Sequence, residues 1–508
     1  MARSISESDI VDLLIIGGGI NGTAIARDAA GRGLSVQLVE QHDLAQHTSS
    51  ASTKLIHGGL RYLEYYKFRL VREALIERER LLSIAPHIIW PLTFVLPHEA
   101  HLRPAWMIRA GLFLYDHLAR RKKLPGSKSV SFATYPAGQV LRPSFKRGFT
   151  YSDCWVEDSR LVVLNAMDAT ERGAGIHVHC TLLSARPKDG LWHAQTSAGP
   201  LRARALVNAA GPWVADVLGA KLGLNTDKTV RLIKGSHIVT KRLYAGEQAF
   251  ILQNPDGRIV FVIPYEQDFS LIGTTDVPFA DNPHQVSISP EETNYLCESV
   301  SRYFRTPITA ADVVWSYAGV RPLYDDNSKD AKAVTRDYVL DLKHDSATPP
   351  LLSVFGGKIT TSRKLAEHAL EKLLPALGRP VTPSWTGTAP LPGGDFADFD
   401  SYMQAFRKRF PTLPAAQAHR LVRAYGTRAE HFVSADMGVD LGGGITEAEV
   451  AYLAAHEWAQ SAEDILWRRS RMGLHVPIGT AERIDAALRK QLDDQTTQST
   501  TTCFRGQK

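Results

Sequence analysis

Cysteine is scarce in this chain of 508 residues: Cys154, Cys180, Cys297 and Cys503 are widely spaced and form no CxxC pair. That excludes a disulfide-stapled scaffold and a zinc ribbon, and it fits a reducing compartment. Long apolar runs are missing as well. No stretch of about 18 apolar residues occurs, so no spanning helix is expected. The first nine residues are polar and include Glu7 and Asp9, so no signal-peptide core can be drawn and a cytoplasmic location is expected. Internal repeats are absent. Excess charge is small, a net +6, and it is local. Between His101 and Lys128 stand Arg103, Arg109, Arg120, Arg121, Lys122, Lys123 and Lys128 against a single acid, Asp116, which accounts for all of it. What remains is a chain with 44% hydrophobic residues, long enough for two to four domains at roughly 100–200 residues each.

The order of patterns gives the organisation. Residues 10–16 are Ile, Leu and Val broken only by Asp12, a strand that runs straight into Gly17-Gly18-Gly19-Ile20-Asn21-Gly22. Residues 23–33 read as a helix with small residues on one face, and 36–40 as a second strand ending in an acid. Further strands are expected at 205–208, 237–240, 259–264, 270–273 and 351–355, separated by long excursions. This is the pattern of an α/β nucleotide-binding sheet interrupted by a β-rich substrate domain. Residues 386–396, with Pro390, Pro392 and a Gly pair, read as a linker. The expected division is therefore 9–386 for the interleaved pair, 398–494 for an all-α C-terminal cap, and 495–508 for a disordered Thr/Gln-rich tail.

The chemistry starts at Gly17, Gly19 and Gly22, spaced GxGxxG. The first glycine permits the tight turn, the second lets the backbone approach a pyrophosphate, and the third allows close helix–strand packing. The helix N-terminus that follows offers N–H groups and a positive dipole end to phosphates. Glu40, 18 residues after Gly22, stands where a carboxylate accepts both ribose hydroxyls and repels a 2′-phosphate, which disfavours NADP. NAD and FAD share this fingerprint. Three further segments bear on the choice: the hydroxylated run 48–53, the strand end at Gly211, and the strand break at Gly356-Gly357-Lys358. A second helix N-terminus near 356–361 would favour an anionic reduced flavin.

With these segments in view, the sequence resembles the D-amino-acid-oxidase-like flavoproteins, and within them the aerobic FAD-dependent glycerol-3-phosphate dehydrogenases. The matching stretches include IIGGGINGTAIARDAAGRGLSVQLVE, SSASTKLIHGGLRYLE, NAAGPWV, RLIKGSHIV, IGTTD, GVRPL, TRDYVLD and SVFGGKITTSRKLAEHALEKL. The resemblance implies a glutathione-reductase-type Rossmann fold binding FAD. It also implies oxidation of sn-glycerol 3-phosphate to dihydroxyacetone phosphate, with electrons passed to membrane quinone in glycerol catabolism. It gives Arg61, Tyr62, Arg336 and Lys358 the phosphate, with Arg321 nearer the hydroxyl. Arg suits a phosphate as a bidentate fork and Lys as a point charge. Ser49, Ser50, Gly211, Gly357, Lys358 and Thr360 join Gly17, Gly19, Gly22 and Glu40 as cofactor-binding candidates. For the general base, His237 stands first and His57 second, with Lys358 able to serve if neighbouring Arg residues depress its pKa. Arg321 is suited to stabilising an alkoxide. A homodimer is the family habit, and no metal is expected.

The basic segment 103–123 admits two uses. As a helix of about 100° per residue it gathers Arg109, Asp116, Arg120 and Lys123 within about 60°. Met107, Ile108, Gly111, Leu114, Tyr115 and Leu118 lie opposite, with Trp106 and Phe113 at the edge. Such a helix suits the interface of an anionic membrane, or it packs on its own domain with a solvated basic face. Nothing else supports nucleic-acid binding. The resemblance favours the membrane. Three rivals remain: an oxidase using O2, an amine oxidase of the same fold, and a membrane-surface scaffold with a vestigial nucleotide fold.

Overall fold

A computed structural model describes residues 10–99, 103–224, 228–325, 337–345 and 348–491. Strand β1 (Ile10–Ile16) is central in a sheet of mostly parallel strands. It lies parallel to Gly199–Asn208 on one side and to β2 (Val36–Val39) on the other. Leu351–Phe355 extends the sheet beyond Gly199–Asn208, and Gly175–His177 extends it beyond β2. Both faces of β1 are covered, as in parallel sheets generally, so its apolar run is nearly continuous. Leu13 and Ile15 enter one core while Val11, Leu14 and Ile16 enter another. The lone polar residue, Asp12, is buried and bound by Ser35 and Arg379.

Helix α1 (Ile20–Gly31) begins three residues before the expected start, because Gly19 is extended and the helical turn follows at once. It is buried almost all round, packed between helices Asp158–Glu171 and Ser362–Ala376. That environment explains why Ala and Gly dominate it: larger residues would hold the neighbouring helices off.

The second sheet is antiparallel apart from one parallel pair, Ala249–Gln253 with Ile89–Pro97. Its longest pairing joins Val230–Lys241, longer than the expected 237–240, to Val313–Tyr324, which the sequence pattern does not reveal. The expected α/β sheet with an interleaved β-rich region and a helical C-terminal part is thus observed. A two-stranded hairpin, Asp440–Gly442 with Ile445–Thr446, interrupts the C-terminal helices Phe399–Arg409, Ala415–Tyr425, Glu447–His456 and 480–491. These helices share one continuous apolar core with β1 and α1. Buried ion pairs reinforce the seam. Arg469 meets Asp43 at 2.7 Å, Arg468 meets Asp43 at 2.6 Å, and Arg160 Nη2 meets Glu457 at 3.0 Å. Asp158 is gripped by Lys54 at 3.0 Å and by Arg471. The expected tail 495–508 lies outside the described residues.

The basic segment forms a helix over Ala105–His117, and its orientation corrects the expected one. Leu112 and Tyr115 face inward, whereas Trp106, Met107, Phe113 and Leu114 are exposed. Ala105, Ile108, Leu112 and Tyr115 pack inward, and the Tyr115 hydroxyl donates to Asp153 at 2.8 Å, which leaves Met107 and Leu114 outward. Arg109 and Asp116 do not form a solvated face; both are bonded to Ser127. Among the described residues no helix is long and apolar enough to cross a membrane.

Candidate active site

A cleft of about 1750 Å³ opens beyond the carboxyl ends of the parallel strands, where Ile16, Val39 and Ala209 meet the face of the second sheet at Gly235, Thr274 and Arg321. Its size exceeds the roughly 300–1,000 Å³ of a single small-molecule pocket, leaving room for a dinucleotide and a second molecule.

Backbone makes one wall. Gly17 has φ +109°, and a methyl group there would lie 2.6 Å from the Ala209 carbonyl. A methyl on Gly22 would sit 2.0 Å from the Gly17 carbonyl, so helix and turn touch only because both residues are glycine. Gly22 itself is behind the cleft wall, in the packing role its spacing implies. Glu40 lies one residue past β2. Its two oxygens accept from Gly18 N at 2.6 Å and His42 N at 2.9 Å, which fixes the carboxylate at the cleft edge. Burial raises its pKa, with those N–H groups acting against the rise. Ser49 Oγ accepts from Ile20 N at 3.0 Å, fastening the hydroxylated run to the start of α1. Ser50 is not on the wall; its hydroxyl donates to the His47 carbonyl.

Cationic side chains make the other wall. Arg61 and Tyr62 sit on a short 3-10 helix, Leu60–Tyr65, entered through Gly59 at φ +75°. Lys358 brings its ammonium 4.0 Å from the Tyr62 ring centroid, a cation–π contact between residues distant in sequence. Arg321 projects from Val313–Tyr324, donates to Thr274 Oγ1 at 2.8 Å and pairs with Asp276. A methyl at Gly235 would lie 2.4 Å from Arg321 Nη2, so that glycine makes the room for the guanidinium. Gly211, Gly357, Thr360 and His57 also line the cleft. Arg336 lies outside the described residues.

His237 departs from expectation. It does not line the cleft: the strand pleat turns it behind Thr53, where it is 1% exposed and stacked on Tyr317. Its Nε2 is 2.9 Å from Thr53 Oγ1, and Thr53 does line the cleft. Burial, with Arg321 and Lys54 adding, holds the imidazole well below its usual pKa, so it is neutral at pH 7. Thr53, Thr274, Asp276 and Gly235 were not singled out from sequence as site residues. Only their positions inside the matching stretches could have drawn attention to them.

Comparison with known proteins now bears on what this cleft holds. Residues 12–363 match the family described as FAD dependent oxidoreductase. The chain belongs to that family. It is an FAD-dependent oxidoreductase, and FAD is its cofactor. Residues 384–492 match a second family, the C-terminal domain of alpha-glycerophosphate oxidase. A glycerol-3-phosphate dehydrogenase of Pseudomonas aeruginosa is 54% identical over 495 residues, covering 95% of this chain and 96% of that one. A D-erythritol 1-phosphate dehydrogenase of Brucella abortus is 49% identical, covering 93% and 96%. Among solved structures, the FAD complex of a glycerol-3-phosphate dehydrogenase from Bacillus halodurans superposes with a TM-score of 0.74, at 24% identity and with 96% and 91% coverage.

The FAD-dependent oxidoreductase chemistry fits the residues present. The glycines leave no side chain between backbone and cleft, and Glu40 keeps acceptor capacity for ribose hydroxyls. Asn21, which also lines the cleft, has a buried Oδ1 without a hydrogen-bond partner, an acceptor available to a bound group.

Proposed function

We propose that the protein oxidises the secondary alcohol of sn-glycerol 3-phosphate to dihydroxyacetone phosphate. The observation that carries this reading is the presence of Arg61, Lys358 and Arg321 in the lining of the one cleft that the glycine turn also lines, in a chain about half identical to dehydrogenases named for phosphorylated polyols. Arg61, Tyr62 and Lys358 bind the phosphate, with Lys358 oriented by the Tyr62 ring. Arg336, given the same role by resemblance, completes the set. Arg321, held in place by Asp276 and Thr274, faces the hydroxyl and stabilises negative charge as its proton leaves. Thr53, fixed by the buried His237 Nε2 at 2.9 Å, is placed to hydrogen-bond the substrate hydroxyl, whose proton leaves to solvent through the open cleft. Bound FAD supplies the hydride acceptor.

The acceptor beyond FAD, in this reading, is membrane quinone, which places the reaction in glycerol catabolism. Trp106, Met107, Phe113 and Leu114 are exposed beside Arg103 and Arg120, and the 3-10 helix leading to exposed Tyr66 packs against the same helix. Tyr66, Phe68 and Arg103 also line the cleft, so the apolar surface and the cleft mouth adjoin. Aromatic and basic side chains together suit the boundary of an anionic bilayer. The cytoplasmic, peripherally attached enzyme of this reading should sediment with anionic vesicles, and Trp106→Asp should release it.

Steady-state turnover tests the substrate. With an artificial electron acceptor, glycerol 3-phosphate should exceed glycerol in kcat/KM by several orders of magnitude, and erythritol 1-phosphate by a smaller margin. Equal use of glycerol would overturn the phosphate assignment. Faster reoxidation by oxygen than by quinone would favour an oxidase instead.

A further inference from the structure

Three histidines that play no part in the proposed reaction meet at the rim of the cleft. His42 and His47 lie in the loop after β2, and His284 comes from a turn of the second sheet's connections, 237 residues further on from His47. One ring nitrogen from each lies within 4.8 Å of the others, and His42 Nδ1 is 2.9 Å from His47 Nε2. We infer that His42, His47 and His284 form a three-imidazole binding site for a borderline divalent cation of the Zn²⁺ class.

The ring arrangement argues for this more strongly than proximity does. The three centroids form a nearly equilateral triangle with sides of 5.0, 5.6 and 5.6 Å. An ion about 2.1 Å from an imidazole nitrogen is about 3.2 Å from that ring's centroid, so tetrahedral partners would have centroids about 5.2 Å apart. No two of the rings are stacked. Their mutual angles are 67°, 76° and 79°, so the rings meet edge to face.

The site is also built. His42 N donates to Glu40, His42 O accepts from His179 N, Ser50 caps the His47 carbonyl, and His284 N donates to Asn282. Trp213 packs on His47 and His284 at 4.7 and 4.5 Å. His42 and His47 are half-buried and His284 is exposed, which leaves an entry path for an ion. Three nitrogen donors without carboxylate select Zn²⁺, Ni²⁺ or Cu²⁺ over Mg²⁺ or Ca²⁺. A bound ion would clasp the loop that carries His42, one of Glu40's two partners, to the substrate sheet.

The test is calorimetric titration of tag-free, chelator-treated, FAD-loaded enzyme with ZnCl2. Using the loaded enzyme ensures that a histidine engaged by the nucleotide cannot count. One equivalent should bind per chain, at least tenfold more tightly than to His284→Ala, whose side chain is exposed and whose FAD content should be unchanged. His42→Ala should show the same loss, so the result does not hang on one variant. No binding to the wild type, or equal binding by both variants, would overturn the proposal. Neither result touches the reading of the substrate, which rests on other residues.

Discussion

The two walls of the cleft are made differently. The nucleotide wall is backbone: Gly17, Gly19 and Gly22 matter for what they leave out, and one carboxylate, Glu40, finishes it within 24 residues of sequence. The substrate wall is side chains drawn from distant segments, with Lys358 set against the Tyr62 ring and Arg321 held by Thr274. A backbone wall is set by local spacing and tolerates no added atom. A side-chain wall is set by the whole fold, and each member can be removed singly with a graded effect.

The largest expected effect breaks the first wall. Gly22→Ala puts a methyl 2.0 Å from the Gly17 carbonyl, so α1 must move off the turn. The purified protein should then carry almost no FAD, read from the ratio of flavin to protein absorbance.

Next comes the frame behind the second wall. Asp158 is fully buried. Burial opposes its ionisation, but Lys54 and Arg471 outweigh that and hold its pKa below the usual value. Asp158→Ala strands two buried cations and should cost about 3–5 kcal/mol, seen as a large fall in Tm. Because Ser52 and Lys54 hang on this carboxylate, turnover should fall with it.

Two variants then sharpen the contrast within the substrate wall. Arg321→Ala should lower kcat by about 10²–10³, the range for loss of one donor to a developing oxyanion, while FAD content stays at the wild-type level. Lys358→Met should act chiefly on KM, raising it about tenfold, because a phosphate contact is made equally in ground and transition states. If both variants shifted kcat and KM alike, the division between a hydroxyl end and a phosphate end would be wrong.

This difference between the walls also explains what could be read from the sequence. The βαβ start, the glycines and Glu40 are consecutive, so period and spacing reveal them, and β1 and Leu351–Phe355 occupy the residues expected from pattern. Arg61, Arg321 and Lys358 came from resemblance rather than spacing, since nothing in the local sequence says that Lys358 reaches Tyr62. His237 shows the limit of residue type as evidence. A histidine suits a base near neutral pH, but whether a strand residue faces the cleft depends on the pleat, and Thr53 stands in front of it. The helix Ala105–His117 teaches the same lesson. Its rotation is set by the packing of Ile108, Leu112 and Tyr115 on the second sheet's core together with the Tyr115–Asp153 hydrogen bond, which the sequence pattern of this segment alone does not single out. The histidine triad was invisible because its third member comes from another sheet.

The most direct test of the whole account is an anaerobic visible spectrum of the FAD-loaded enzyme before and after adding glycerol 3-phosphate. The flavin band near roughly 450 nm should bleach with glycerol 3-phosphate and stay unchanged with glycerol at the same concentration. A flavin that glycerol 3-phosphate leaves oxidised would contradict the proposed reaction while leaving the fold and the cofactor standing.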